Sequence, residues 1–483
     1  MTRTTFARLA ACLALSLFAC GGQPPPQSIY PVPRGEAQYP SPGGNLREEA
    51  RALLSRAIQV DTTNPPGNEE ALAELLVDSL RGDGVSARVV DVPGEGRAAA
   101  WASVPGSGEA APIVLLSHLD VVPAEPEEWA VAPFAGVSGG GYVVGRGALD
   151  AKGVAVVHLL TLKELVRRGI GLKRDVILLA TPDEETGGEG GAGWIVRQRR
   201  ELLGGAELLL TEGGGILPGE YAGQDIWGVS FVEKAPCWLE LSSRGLGGHG
   251  SVPPPNSATR RLVRALARSE EMVTELRVVP EVAHMFALLA PLAAPGDRER
   301  FLQLRGALTL NPEFRERFMA DPGRAALVRN TVALTMLQGS ARSNVVPAEA
   351  RATLDVRLLP GERCETFAEN LRGVIADPEV EIAIRLPFES LASPSETPLM
   401  RAIARVAERA DPPGLAIPRV ITGFTDAHWF REVGITAYGF IPRRLRPIET
   451  RTIHGPNERV SVDNLELGVE TLLAILQQLD TEE

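Results

Sequence analysis

From residue 45 onward, apolar positions alternate between two periods, and that alternation lays out the architecture. Leu46–Ile58 and Glu69–Leu80 set apolar residues three and four apart, the spacing of a helix with one buried stripe. Ala87–Val92, Ala98–Val104 and Ile113–Ser117 are short apolar or β-branched runs and read as strands. A helix over Ala151–Arg168, a strand over Asp175–Ala180, a helix over Gly190–Glu201 and a strand over Glu207–Thr211 continue the series. Such a series predicts an α/β domain, with a mixed, mostly parallel sheet covered by helices on both faces.

Beyond residue 235 the order changes. Trp238–Ser243 reads as a strand, Ser257–Ser269 as a helix, Thr331–Gln338 and Arg351–Leu358 as strands. Glu365–Ile375 is a helix and Val380–Arg385 a strand, which completes a ferredoxin-like β-α-β-β-α-β order. Residues 270–330 interrupt it with a largely helical, partly apolar stretch that includes His284–Leu289. Helix–strand alternation returns with Arg401–Ala410 and Thr436–Phe440, so the second domain is inserted into the first. The predicted boundaries are 45–235 and 393–483 for the α/β domain, and 236–392 for the insert.

The first 44 residues follow neither period. Arg3 and Arg8 precede the apolar run Leu9–Phe18, which marks residues 1–19 as a secretory signal too short to span a bilayer permanently. Leu17–Cys20 resembles a bacterial lipobox, which makes Cys20 the lipidated first residue of the mature chain; a plain cleaved signal is the alternative. Residues 20–44 hold seven prolines and read as an extended tether, with Asn45 as cap of the first helix. The expected location is the bacterial cell envelope, anchored to a membrane; the lack of Asp after Cys20 favours the outer one.

Composition narrows the choice of partner. Hydrophobic content of 44% with 23% charged residues is globular, and the net charge of -12 argues against nucleic acid. Past the signal and anchor only Cys237 and Cys364 remain. They lie far apart with no paired spacing and read as structural thiols, with neither a disulfide nor a thiolate metal site expected.

Six histidines occur, and three sit in turn-rich segments beside acidic residues. His118 ends an apolar strand. Asp120, two positions on, shares its face, so the carboxylate can bond the far imidazole nitrogen and fix its tautomer, as around a metal-bound histidine. Asp150 lies in a glycine-rich strand-to-helix loop that permits a sharp turn; a helix N-cap is the plainer role for it. Asp183, Glu184 and Glu185 follow a core strand, where adjacent carboxylates call for a cation or protons between them. Glu212 ends another strand, and His454 follows Ile453 in a turn. Together His118, Asp150, Glu185, Glu212 and His454 suffice for two zinc ions that share one carboxylate and a water. Glu184 is left free as a base. His158 and His284 lie in helical runs and read as packing or surface residues.

In order, SHLDVVP (117–123), GRGALDAKG (145–153), DEETGG (183–188), TEGGG (211–215), GGHGS (247–251) and IHGPNE (453–458) resemble a di-zinc family. That family contains aminoacylase, bacterial glutamate carboxypeptidase, succinyl-diaminopimelate desuccinylase and carboxypeptidase S. Asp61–Glu69 matches its N-terminal signature, and the resemblance spans roughly residues 46–480. It implies a zinc-exopeptidase-type α/β domain, a lid that pairs two subunits, and a cis peptide after Asp150. It further implies two Zn2+ per subunit, with Co2+ or Mn2+ as substitutes. Asp150 would bridge the metals, with His118 and Glu212 at one site, Glu185 and His454 at the other, and Asp120 and Glu184 catalytic. His249 would reach into the partner's site to stabilise the oxyanion. Asn344 and Arg357 would hold a substrate carboxylate, although Arg357 by itself reads as readily as a surface ion pair.

The implied reaction is hydrolysis of an amide bond beside a free carboxylate, in a small peptide or N-acyl amino acid, by a homodimer. The insertion at 270–330 resembles the carboxypeptidase S and N-acyl amino acid hydrolase branch. Its apolar helices either shelter a hydrophobic acyl or side-chain group or extend a dimer interface. One departure is Gly423–Phe430, where many relatives carry an arginine near Ala427–His428. Two alternatives stay open: a di-zinc aminopeptidase or dipeptidase, which would lack the GGHGS segment that this chain carries, and a non-catalytic surface-binding lipoprotein, which would show erosion at Glu184 or a ligand where none is visible.

Overall fold

Alternate residues of the strand Ile113–His118 join different cores: Ile113 and Leu115 one, Val114 and Leu116 the other, as a sheet buried on both faces requires. The structure, a computed structural model, describes residues 45–482 except 222 and 273. The signal segment, Cys20 and the tether expected over 1–44 lie outside the described residues. Asn45 caps the first helix, Leu46–Gln59, its side chain accepting from the Arg47 backbone N–H.

In chain order the strands begin with β1 (Ser86–Asp91), β2 (Ala98–Val104), β3 (Ile113–His118), β4 (Val137–Gly139), β5 (Tyr142–Val144) and β6 (Val176–Thr181). Next come β7 (Leu208–Thr211), β8 (Gly215–Tyr221), β9 (Gln224–Glu233), β10 (Ala235–Arg244), β11 (Gly248–His249) and β12 (Thr331–Gln338). The last are β13 (Val345–Val346), β14 (Glu349–Leu358), β15 (Val380–Pro387), β16 (Gly414–Ile421), β17 (Thr436–Gly439) and β18 (Arg459–Ser461). The large sheet runs β1-β2-β6-β3-β7-β17-β9-β16, with β8 on β9. Its centre, β6-β3-β7-β17, is parallel, while β2 and β9 flank it antiparallel. Helices Lys152–Arg167, Pro398–Arg409 and Val462–Glu482 pack one face, and Ala192–Gln198 and Ala427–Glu432 the other.

The second sheet, β12-β14-β10-β15, is antiparallel throughout. With helices Ala258–Glu270 and Cys364–Ile375 it closes a core of its own in the ferredoxin-like order. The helical insertion does not join that core. Its Met285, Phe286, Phe301 and Phe318 belong to the core of the large sheet, and helix Pro280–Leu289 lies along β16.

One expectation is overturned. Cys237 and Cys364 are not separate thiols but form a disulfide, although 127 residues separate them in the chain. Cys237 sits on β10 and Cys364 opens the helix Cys364–Ile375 packed on that sheet, which brings their Cα atoms to 5.3 Å. Spacing along the chain carries no trace of a contact made by sheet-on-helix packing.

Candidate active site

Three neighbouring parallel strands, β6, β3 and β7, end side by side, and each delivers acid or imidazole at its carboxyl end. His118 closes β3, Glu184 and Glu185 follow β6, and Glu212 follows β7. Crevices outside the carboxyl ends of such strands are where open α/β sheets place their ligands. Asp150 arrives from the loop before helix Lys152–Arg167, through a cis Asp150–Ala151 peptide, as the resemblance implies. Ala151, not Asp150, occupies the N-cap position of that helix, so the plainer reading of Asp150 falls. His454 comes from the turn before β18, which pairs with β5 just ahead of the Asp150 loop.

The distances group these residues around one shared carboxylate. His118 Nε2 lies 3.0 Å from Asp150 Oδ1 and 3.3 Å from Glu212 Oε1. His454 Nε2 lies 3.1 Å from Asp150 Oδ2 and 3.3 Å from Glu185 Oε2. A tetrahedral ion with bonds of about 2.0–2.1 Å sets neighbouring ligand atoms about 3.3 Å apart, so each imidazole stands from these carboxylates at the spacing of neighbouring ligands on a first-row ion. Ligand atoms of His118, Glu184 and Glu212, and of His118, Asp150 and Glu185, also gather within 4.8 Å of one another. Glu185 Oε1 is buried with no hydrogen-bond partner, as a ligand atom awaiting a cation would be.

The electrostatics agree. Burial pushes Glu185 up to about 7, with Asp150 adding to the rise and His454 opposing it. Burial raises Asp150 too, yet the bonds from His118 and His454 outweigh it and hold this carboxyl well below the usual range. Hydrogen bonds to Asp150 and Glu185 raise His454 to about 10. The cluster thus draws positive charge onto the two imidazoles, where dications would supply it. Glu184 is pushed well above its ordinary range by burial and by the charges of Glu212, Glu185 and Asp426, against the pull of His118.

Asp120 works differently from expectation. His118 Nδ1 meets the backbone carbonyl of Asp120 at 2.9 Å, while the Asp120 carboxylate stands 3.4 Å away. That carboxylate instead accepts from the backbone N–H groups of Glu184 and Glu185, both at 3.1 Å, and from Asn64 Nδ2 at 2.8 Å. It fixes the turn that presents both glutamates.

A cavity of about 580 Å³ opens over the centre, lined by Asp150, Glu184, Glu185, Glu212 and His454 from the α/β domain and by Arg357 from the second. Asp355 holds Arg357 by Nε and Nη2 at 2.7 and 2.9 Å, and Nη1 is buried without a partner. The ion pair foreseen for Arg357 exists, but inside the cavity. His249 and Asn344 do not line it. They stand exposed on the small β11–β13 pairing, where His249 Nδ1 bonds Ser251 of its own turn. His428 is buried against Phe388, ring centroids 3.7 Å apart, outside this lining, and the exposed His284 and buried His158 are remote from the ligands as foreseen.

Two residues escaped the sequence reading. Glu458, fully buried, binds the Asp150 loop; its one signal is its place four residues after His454. Arg443 lines the cavity and donates to the Leu149 carbonyl at 2.6 Å, with no motif to announce it.

Residues 114–478 match the model of peptidase family M20/M25/M40. The chain is 31% identical over 382 residues to N-fatty-acyl-amino acid synthase/hydrolase PM20D1 of Xenopus tropicalis, covering 77% of this chain and 73% of that one. It is 28% identical to probable carboxypeptidase S-like 2 of Dictyostelium discoideum, covering 73% of this chain and 69% of that one. The M20 family metallo-carboxypeptidase Sso-CP2 of Sulfolobus solfataricus shares the fold, with a TM-score of 0.69 at 19% identity over 90% of this chain and 99% of that chain. Imidazoles and carboxylates gathered around the ends of parallel strands and a family match across three quarters of the sequence lead to one conclusion: this chain belongs to peptidase family M20/M25/M40 and is a metal-dependent hydrolase of amide bonds.

Proposed function

We propose that the substrate is an N-acyl amino acid, or a small peptide, cleaved at the amide beside its free carboxylate. Arg357 carries this reading, because it lines the cavity together with Glu184 and its Nη1 has no hydrogen-bond partner in the protein. A guanidinium edge takes a carboxylate by strong charge-assisted bonds, and here it would orient the neighbouring amide toward Glu184. The donor set of two imidazoles and three carboxylates suits two Zn2+, with Co2+ or Mn2+ as substitutes. Bound ions there would acidify a water and polarise the amide carbonyl. Glu184 takes the proton of the attacking water and passes it to the leaving nitrogen, and its raised affinity for protons suits a group that must hold one between two steps. Asp120 keeps the Glu184 turn in place.

The name of the Xenopus relative favours the N-acyl branch, with a fatty acyl group. His249 and Asn344 serve the partner's cavity in a homodimer, His249 by stabilising the oxyanion and Asn344 by holding the carboxylate. Strand β12 supports that pairing: it is an edge strand whose Leu334, Met336 and Leu337 stand 43%, 51% and 59% exposed. Cys20 tethers the protein in the bacterial envelope, a reading that the disulfide supports, since such bonds persist in oxidising compartments.

The test is amino-acid release by the metal-loaded protein from N-acyl amino acids, dipeptides and the matching C-terminal carboxamides. Free carboxylates should be cleaved at least tenfold faster than carboxamides, and Arg357→Ala should erase the difference. Equal cleavage of the carboxamides, or no chelator-sensitive release from any substrate, sinks the reading.

A further inference from the structure

A second cavity, of about 270 Å³, lies between the helical insertion and the edge of the large sheet. Its floor is Ile226 of β9 and Ile417 of β16, and its roof is Phe286 and Leu289 of helix Pro280–Leu289 together with Leu327 of helix Pro322–Leu327. Leu217, Arg419 and Ile421 line this cavity and the catalytic one alike, so the two adjoin. The Arg419 stem lies flat on Gly228, where any Cβ would come within 2.2 Å of its Cδ, and so forms part of the shared wall. The charged and polar groups, Asp321, Arg324, Arg419 and Thr422, are partly or fully exposed, whereas the floor residues are 2% or less exposed.

We infer that this second cavity receives the apolar tail of the substrate's acyl group, which threads from the ligand cluster past Leu217 and Ile421 beneath the insertion. The inference rests on the N-acyl reading above and adds to it a site that sets chain length. Its warrant is position. An amide held between Glu184 and Arg357 has its acyl side free to leave the catalytic cavity, and the apolar floor and roof begin at the residues that the two cavities share. The roof is braced from behind, since Phe286 packs on Phe301 and Phe318 with centroids 4.9 and 5.2 Å apart. The insertion is thereby part of the substrate site, which explains why it packs on the large sheet and not on the ferredoxin-like core. Each methylene that leaves water there contributes a factor of about four to binding, so longer chains should be favoured until the cavity ends.

The test uses the full-length, metal-loaded protein with N-acetyl-, N-octanoyl- and N-palmitoyl-phenylalanine, and separately the binding of palmitate. Leu327→Trp fills the roof, and Gly323→Trp, at an exposed rim position, guards against a folding defect in the first variant. The palmitoyl-to-acetyl ratio of kcat/KM should fall at least tenfold in either variant, and palmitate affinity should fall with it. A wild type that cleaves these substrates with a ratio unchanged in both variants overturns the acyl site and leaves the reaction standing. A wild type that cleaves none of them ends the N-acyl reading; palmitate binding lost in Leu327→Trp would still support the cavity, and no palmitate binding by the wild type would overturn it.

Discussion

The carboxylate of Glu458 accepts the backbone N–H of Asp150 at 3.0 Å, and with it those of Leu149 at 2.7 Å and Gly147 at 3.1 Å. Arg146 Nη1 adds a fourth bond at 2.7 Å. One buried acid therefore shapes the loop that carries Asp150, whose carboxylate stands between His118 and His454. Glu458→Ala leaves Arg146 buried with backbone carbonyls but without its acidic partner, and should cost about 3–5 kcal/mol in stability, read by thermal melting. Glu458→Gln keeps the volume but turns an amide N–H toward donors, and should weaken metal binding about 10–100-fold in a chelator competition. A folded Glu458→Gln with undiminished metal affinity would show that the loop holds its own shape.

Glu184 can be separated from the ligands beside it. It makes no ion pair with a histidine among the described residues, whereas His118 meets Asp120, Asp150 and Glu212, and His454 meets Asp150 and Glu185. Glu184→Gln should therefore bind the same number of metal ions as the wild type and lose roughly 10²–10⁴ in kcat, the usual worth of a positioned proton carrier. Metal analysis and amino-acid release on one sample decide it: full metal with wild-type turnover removes Glu184 from the chemistry.

His118, Glu184, Glu185 and Glu212 were legible as candidates because they end or directly follow apolar strands such as Ile113–His118 and Val176–Thr181, whereas Asp150 and His454 sit in a loop and a turn and stood out by their motifs. Strand β16 was not legible. Pro418 lies in its middle, which argues against a central strand, and the structure puts β16 at the sheet edge, where one side needs no ladder partner. The insertion announced apolar helices but not which core they join, since periodicity gives a helix its buried face and not the surface that covers it. Asp120 shows the same limit: its place two residues after His118 was informative, yet which of its oxygens meets the ring depends on how the chain leaves β3.

The disulfide gives the ferredoxin-like domain its own prediction. It closes a long loop between β10 and helix Cys364–Ile375, both buried, and such a link is typically worth about 2–4 kcal/mol. Cys237→Ser should lower the melting temperature, and a reductant should lower that of the wild type while leaving the variant unchanged. Equal sensitivity of both proteins to reductant would place the redox effect elsewhere.

Stability in acid should depend on His158. It is fully buried on helix Lys152–Arg167, neither ring nitrogen has a hydrogen-bond partner, and burial lowers its pKa to about 3. An exposed imidazole in the unfolded chain titrates near 6.5, so between these values the unfolded state binds a proton that the native state refuses. Stability is therefore whole above about pH 6.5 and declines as pH falls toward 3, by up to about 1.4 kcal/mol per pH unit. His158→Leu removes that loss. Its melting temperature relative to wild type should rise steadily from pH 7 to pH 4, reaching the equivalent of about 3 kcal/mol, in chelated and metal-loaded protein alike. Parallel curves for the two proteins across that range would mean that His158 takes up its proton without unfolding, contrary to its burial.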